Sequence, residues 1–180
     1  MVNTSVPTKN QCMKILRKYN TPNSVIQHCL TVTEIVEDFC SKIPSINKDI
    51  AIAGAMLHDI GRSVDHSIFH AVNGVRILEN ENIDYRIISI VKNHIGTGIT
   101  KEEAVKLGLP VQNYIPKTIE EEIVSYADNL TDGGIKRSFE EILDYFIQKF
   151  GKESHVVKGL YRQKELINKL MLENKMVRKE

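Results

Sequence analysis

Residues 48–62 read KDIAIAGAMLHDIGR, and this stretch decides the fold. Its apolar run, residues 50–57, carries no charged side chain on any face. A helix that is apolar all round lies in the protein interior. His58 and Asp59 follow this run directly, and Gly61 is expected to end the helix in a left-handed conformation. The sequence therefore predicts two ionisable side chains at the end of a buried helix.

The rest of the chain is also helical in pattern. Apolar residues recur three and four positions apart, and convincing alternating strand segments are absent, so we predict an all-α fold. In residues 21–41, for example, the core-facing stripe consists of Val25, Cys29, Val32, Val36 and Phe39. Two later amphipathic segments, residues 138–150 and 154–171, are expected to form an appended helical hairpin.

Size and composition indicate a single globular domain, residues 1–180. Of the 180 residues, 42% are hydrophobic and 26% charged, which is enough apolar material for a sizeable core. The 24 Lys and Arg against 23 Asp and Glu give a net charge of +1, so we expect no strong nucleic-acid binding. The three cysteines form no CxxC pair, and no apolar run reaches the roughly 20 residues of a membrane span. Residues 1–11 lack the apolar segment of a secretory signal, so we expect none. We therefore expect a cytoplasmic protein with no membrane partner.

The histidines carry the chemical information. Four of the six fall on apolar helix faces; His28, for example, lies three residues after Val25 and four before Val32. One buried histidine is most simply a core residue bonded to a backbone carbonyl. Several ionisable groups in one small core would each need a partner, whereas shared metal ions would satisfy them together. The sequence thus predicts a metal centre whose candidate ligands are His28, His58, Asp59, His70, His94 and Asp128.

The order of these residues resembles the HD-domain metal-dependent phosphohydrolase superfamily. His28, the run HDIG at residues 58–61, and Asp128 match the order H…HD…D over about residues 22–135. The chain is similar to small stand-alone archaeal proteins of the HDIG type. This resemblance implies an HD-domain helical bundle over residues 22–135. Residues 136–180 are then expected either to pack on that core or to form a homodimer interface.

The resemblance also implies a ligand set. HAVNGVRIL, which begins at His70, and VKNHIG around His94 are similar to the two extra histidines of the dimetal branch. By this resemblance one metal is held by His28, His58, Asp59 and Asp128, and Asp59 bridges to a second metal held by His70 and His94. Imidazole-rich ligation without thiolates suits iron or manganese, our preference, and also cobalt, nickel or zinc. We therefore expect one or two divalent transition metals per chain.

Three further residues are candidates for substrate contact. Arg62 follows HDIG, where many relatives have a basic residue, and its planar fork suits bidentate phosphate binding. With Asp59 it forms the predicted catalytic pair, although a helix-terminal cation needs no substrate. His66 is either a substrate contact or an exposed loop residue. Lys92 lies either at the mouth of the site or on a solvated helix face.

The resemblance implies a metal-dependent phosphohydrolase. Two cations that share a carboxylate and a hydroxide can generate a nucleophile near neutral pH and bind an anionic phosphoryl group. The expected substrate is a small nucleotide-like phosphomonoester, phosphodiester or dinucleoside polyphosphate. The same six-ligand arrangement also occurs in HD-type diiron oxygenases. A third interpretation is a noncatalytic, metal-stabilised ligand-binding module.

Overall fold

The computed structural model describes residues 5–177, with side chains described as far as residue 174. The all-α prediction is confirmed, because helices account for nearly all regular structure in this part of the chain. The helices are α1 (Lys9–Lys18), α2 (Asn23–Lys42), α3 (Lys48–Leu57), α4 (His70–Asn80), α5 (Tyr85–Asn93), α6 (Lys101–Lys106), α7 (Ile119–Asn129), α8 (Phe139–Phe150) and α9 (His155–Val177). One small antiparallel hairpin, β1 (Thr131–Asp132) and β2 (Ile135–Lys136), separates α7 from α8.

Helix α3 is the central element of the bundle. It packs against α1, α2, α5 and α7, and every residue from Ile50 to Leu57 is buried. The side chain of Asn47 caps its first turn by accepting a hydrogen bond from the Ile50 amide at 3.3 Å. The apolar run therefore forms a fully buried helix, and its carboxyl end delivers the next two residues into the interior.

The sequence predicted that Gly61 ends helix α3 in a left-handed conformation, and this prediction is wrong. Helix α3 ends at Leu57, and Gly61 lies within a short 3₁₀ helix, Ile60–Ser63, without a positive φ. A Cβ atom on Gly61 would overlap the carbonyl oxygen of His70 and crowd the amide nitrogen of Gly74. The glycine is needed because the backbone of this turn lies directly against the first turn of α4.

The C-terminal helices complete the core. Helix α9 packs against both α7 and α8, and its residues Leu160 and Ile167 are buried. Residues 1–4 and 178–180 of the predicted domain lie outside the described residues. Within the described part of the chain, no helix combines the length and apolar character needed to cross a membrane.

Candidate metal centre

Five helices deliver the six candidate ligands to one region of the core. His28 lies within α2, and Asp128 lies in the last turn of α7. His58 and Asp59 directly follow α3. His70 is the first residue of α4 and His94 directly follows α5. The structure brings all six together, in two adjoining clusters.

The first cluster contains His28, His58, Asp128 and one oxygen of Asp59. The Nε2 atom of His28 lies 2.9 Å from Asp128 Oδ1 and 3.2 Å from His58 Nε2. Asp59 Oδ2 lies 3.8 Å from each of these two imidazole nitrogens. Ligand atoms bound at about 2.0–2.2 Å to one metal ion lie roughly 3–3.5 Å apart. The distances between these ligand atoms therefore match the ligand–ligand distances around a bound metal ion to within a few tenths of an ångström.

The second cluster contains His70, His94 and the other oxygen of Asp59. Asp59 Oδ1 lies 3.2 Å from His70 Nε2 and 3.5 Å from His94 Nε2. The two imidazole nitrogens are 3.1 Å apart. Asp59 thus presents one carboxylate oxygen to each cluster, which is the arrangement that a bridging ligand requires.

The outer ring nitrogens fix the orientation of three imidazoles. The Nδ1 atoms of His58, His70 and His94 donate to backbone carbonyls at 2.8, 2.6 and 2.8 Å. In each case the acceptor belongs to the residue three positions earlier in the chain. A proton held on Nδ1 leaves the lone pair of Nε2 free, and this pattern orients histidines that ligate metals.

Burial of these groups without a cation is unfavourable. Asp59 Oδ1 is buried and accepts no hydrogen bond from the described residues, although two imidazole Nε2 atoms face it. With their protons on Nδ1, these nitrogens direct lone pairs at a carboxylate oxygen, which is repulsive in a site of low dielectric. A shared divalent cation removes this repulsion. Four imidazoles and two carboxylates without a thiolate fit a divalent transition metal, so the residues present fit the predicted metal group.

The electrostatics of the clusters favour positive charge. Burial raises the pKa of Asp59, but when no metal is bound a protonated His58 beside it outweighs burial and, with a contact from His94, holds that pKa below its usual range. Burial likewise opposes ionisation of Asp128, whose bonds to His28 and His58 hold its pKa well below the ordinary value. Both carboxylates are therefore ionised at neutral pH. Burial and the nearby His94 lower the pKa of His70 to about 4, so His70 is neutral, as a ligand must be.

The two clusters differ in their access to solvent. The side chains of His28 and Asp128 are 16% and 20% exposed, whereas those of His70 and His94 are 5% and 2% exposed. The first cluster therefore opens into a cavity of about 790 Å³, a size that suits a small-molecule ligand. The second cluster lies deeper in the core.

The three predicted substrate contacts have different locations. Arg62 lines the cavity, and its Nε donates to Asp59 Oδ2 at 2.6 Å, an interaction that the sequence did not indicate. His66 is exposed and also lines the cavity. Lys92 is half-buried on α5 and does not occur among the described residues that line the cavity. The structure therefore places two of the three candidates beside the clusters and leaves Lys92 out.

Part of the cavity wall was not predicted from sequence. Helix α8 contributes six residues to it, and we call four of these the α8 aromatic wall: Tyr145, Phe146, Lys149 and Phe150. Amphipathic spacing identified α8 as a helix but could not show which part of the protein its side chains contact. The available signal was the excess of large aromatic residues within one turn and a half, more than one apolar stripe requires.

A family model described as HD domain matches residues 25–133, which include every candidate ligand. This chain belongs to the HD domain family.

Three similar proteins give this family assignment its context. A tRNA (cytidine(56)-2′-O)-methyltransferase of Picrophilus torridus is 44% identical over 144 residues, which cover 80% of this chain but only 42% of that relative. An uncharacterized protein of Methanocaldococcus jannaschii is 36% identical over 165 residues, which cover 89% of this chain and 97% of that protein. The crystal structure of the L. monocytogenes phosphodiesterase PgpH HD domain in complex with cyclic-di-AMP has a TM-score of 0.54 at 18% identity, covering 87% of this chain and 95% of that one. The last likeness establishes the HD-domain helical fold.

Proposed function

We propose that this HD-domain protein is a metal-dependent phosphohydrolase that acts on a small, nucleotide-like phosphoester. The observation that carries the proposal is the position of Asp59. Its two carboxylate oxygens face two separate imidazole clusters, and one of these clusters opens into a cavity of substrate size. Membership of the HD domain family supports the same conclusion.

We assign the ligands as follows. One metal is held by His28, His58, Asp59 and Asp128, and a second by His70, His94 and Asp59, with iron or manganese preferred and cobalt, nickel or zinc as alternatives. Divalent metals bound there would supply Lewis acidity to phosphoryl oxygens and lower the pKa of water.

The protein itself contributes positioning and charge. The Arg62 guanidinium holds Asp59 through a charge-assisted hydrogen bond of 2.6 Å, so Arg62 fixes the orientation of the bridging carboxylate. Its side chain is 31% exposed at the cavity wall, where it adds positive charge beside the phosphoryl site. His66 contributes a backbone carbonyl that accepts from Arg62 at 3.2 Å, and its imidazole is available to a bound ligand.

The substrate class rests on similarity as well as on the cavity. The solved L. monocytogenes HD domain binds cyclic-di-AMP, and the relative from P. torridus is named as an enzyme that modifies tRNA. These names favour a nucleotide over a sugar phosphate or a phospholipid. The candidates are a phosphomonoester, a phosphodiester and a dinucleoside polyphosphate, and the tRNA relative adds a short RNA to the panel that should be tested.

A hydrolysis assay tests the proposal. Protein reconstituted with manganese or iron is incubated anaerobically with AMP, cyclic-di-AMP, a dinucleoside tetraphosphate and a short RNA, and the products are separated by chromatography. We expect cleavage of at least one of these, loss of cleavage with chelator and in Asp59→Asn, and retention in Asp144→Asn, which alters an exposed carboxylate on α8.

Two results would contradict hydrolysis. Oxygen consumption with a phosphonate or polyol, in protein that cleaves no phosphoester, would instead support a diiron oxygenase. Ligand binding without turnover after prolonged incubation would support the noncatalytic binding module.

A further inference from the structure

Helix α8 presents three aromatic side chains to the cavity, and two of them are largely exposed. In the α8 aromatic wall, Tyr145 and Phe150 are 52% and 44% exposed. Phe146 lies between them, with ring centroids 5.9 Å from Tyr145 and 5.6 Å from Phe150, and it packs against the main core. Burying such rings stabilises a fold by about 25 cal/mol for each Å² removed from water. Because Tyr145 and Phe150 stay about half exposed, the fold gains only part of this stabilisation from them.

The wall and the metal centre share one cavity. The residues that line it include His28, Asp59 and Asp128 together with the four members of the α8 aromatic wall. A ligand of ordinary small-molecule size in this cavity of about 790 Å³ can therefore contact both regions. One ligand can therefore stack a planar group on the wall and place an anionic group at the first cluster.

The charge of the wall favours an anionic ligand. Lys149 Nζ donates to the Tyr145 hydroxyl at 3.2 Å and lies 5.4 and 5.3 Å from the ring centroids of Tyr145 and Phe150. The two acidic side chains nearby, Asp132 and Glu141, both lie within ion-pair distance of Arg137, at 3.5 and 3.9 Å. Arg137 offsets one of these two negative charges, and Lys149 places a positive charge directly on the aromatic surface.

We propose that the α8 aromatic wall binds the base of a nucleoside phosphate whose phosphate lies at the metal centre. The position of the phosphate rests on the proposed function, whereas the position of the base rests on the side chains of α8 alone. Stacking of a base on an aromatic side chain is tolerant of base identity, so the wall selects nucleotides over sugar phosphates more strongly than it selects one base over another. A second copy of the chain is the competing occupant, but the concave setting and the shared metal ligands favour a small molecule.

The test measures binding and does not depend on turnover. Metal-loaded protein is titrated calorimetrically with AMP, GMP, ribose 5-phosphate, inorganic phosphate and adenosine. The double variant Tyr145→Leu/Phe150→Leu keeps apolar side chains at both positions but removes the rings. The matched control is Tyr161→Leu, which removes a ring that is 44% exposed on α9 and lies outside the cavity lining.

We expect the wild type to bind AMP and GMP about tenfold or more tightly than ribose 5-phosphate, because base stacking on an aromatic ring contributes at least that factor. The double variant should lose this preference and its affinity for adenosine, while it retains the affinity for inorganic phosphate and the metal content. The control variant should behave as the wild type. Lys149→Gln should weaken AMP binding and leave adenosine binding nearly unchanged.

Three outcomes would overturn the inference. These are equal wild-type affinities for AMP and ribose 5-phosphate, a nucleotide preference that survives in the double variant, and a change from dimer to monomer in the double variant without a change in nucleotide binding. The last result, from light scattering, would identify the wall as an interface between copies. If the protein hydrolyses no phosphoester but the base preference is present, only the proposed function fails.

Discussion

Asp59 connects the two halves of the candidate site. It is the one residue in the described structure whose two side-chain oxygens face different imidazole clusters, and it follows directly from the buried helix α3. Its Oδ1 lacks a hydrogen-bond donor, and its Oδ2 is held by Arg62. The geometry therefore makes separable predictions for Asp59, Arg62 and the histidines of each cluster.

Replacing Asp59 should remove metal from both clusters. Asp59→Asn places an amide between the imidazoles, and the loss of charge weakens both proposed sites together. His94→Ala should remove metal from the second cluster only. We expect elemental analysis to give about two metals per chain in the wild type, one in His94→Ala and less than one in Asp59→Asn. Asp144→Asn serves as the control, and equal losses in His94→Ala and Asp59→Asn would contradict the bridging role.

Replacing Arg62 should affect metal affinity as well as substrate binding. Arg62→Lys keeps the charge but cannot reproduce the fixed Nε contact to Asp59 Oδ2. Loss of such an orienting partner costs roughly 10- to 100-fold in metal affinity. Competition with a fluorescent chelator measures this change, and Arg76→Lys, on the exposed face of α4, is the matched control. A higher KM with unchanged metal affinity would show that Arg62 acts on substrate alone.

His70 should make the metal-free protein sensitive to acid. Its pKa is lowered from 6.5 to about 4 in the folded state. Between these values the unfolded chain binds the proton first, so stability falls as the pH falls from about 6.5 to about 4. At about 1.4 kcal/mol per pKa unit, the contribution is at most about 3.5 kcal/mol.

Denaturant unfolding of metal-free wild type and His70→Gln at several pH values measures that contribution. The wild type should lose more stability than the variant between pH 6.5 and pH 4, because only the wild type must keep an imidazole neutral at this position. Parallel pH profiles would show that burial at residue 70 carries no such cost.

At the scale of elements, the carboxyl end of α3 was predictable and the turn after it was not. An apolar run with no polar face, in a chain whose pattern is otherwise helical, indicates a buried helix, so the location of the HD doublet followed from residues 50–57. Gly61 was misread because a glycine after a helix usually marks a left-handed cap. Its actual role depends on the approach of α4, a tertiary contact that no local pattern encodes.

A buried network of polar side chains connects helices α7 and α9. Gln163 of α9 donates to Ser125 Oγ at 2.8 Å and accepts from Asn129 Nδ2 at 3.2 Å. Ser125 and Asn129 in turn donate to the carbonyl oxygen of Gly96, two residues after His94, at 2.7 and 2.8 Å. The C-terminal helix thus holds the loop that follows one candidate ligand.

Removing the Gln163 side chain should destabilise the packing of α9 on α7. Gln163→Ala leaves buried partners unsatisfied and a cavity between α7 and α9, at a cost of about 2–4 kcal/mol. Thermal unfolding should show a fall of roughly 5–15 °C in Tm for a domain of this size. Gln148→Ala, at an exposed position on α8, should leave Tm nearly unchanged. Equal Tm values for the two variants would show that the network contributes nothing to stability.

At the scale of the whole molecule, the sequence was most informative about residues that lie inside. His28 and His94 were recognised because they interrupt apolar helix faces, and the structure brings both into the clusters. The location of Lys92 and the role of the α8 aromatic wall did not follow from the sequence, because both concern the outer surface of a helix. Periodicity identifies that surface, but only the packing of α8 beside the cavity decides which of its residues meet a ligand.

This chain covers very different shares of the relatives that it matches. The chain spans 42% of the length of its P. torridus relative but 97% of its M. jannaschii relative, so similar domains occur in proteins of different length. The two clusters, Arg62 and the cavity are all contained within the part of the chain that the structure describes.

Anomalous diffraction from crystals of manganese-reconstituted protein tests the central claim most directly. We predict two anomalous peaks on either side of the Asp59 carboxylate, each about 2.0–2.3 Å from its imidazole and carboxylate ligands. One peak should lie among His28, His58 and Asp128, and the other between His70 and His94. A single peak bound by one cluster alone, or peaks remote from Asp59, would contradict the dimetal account.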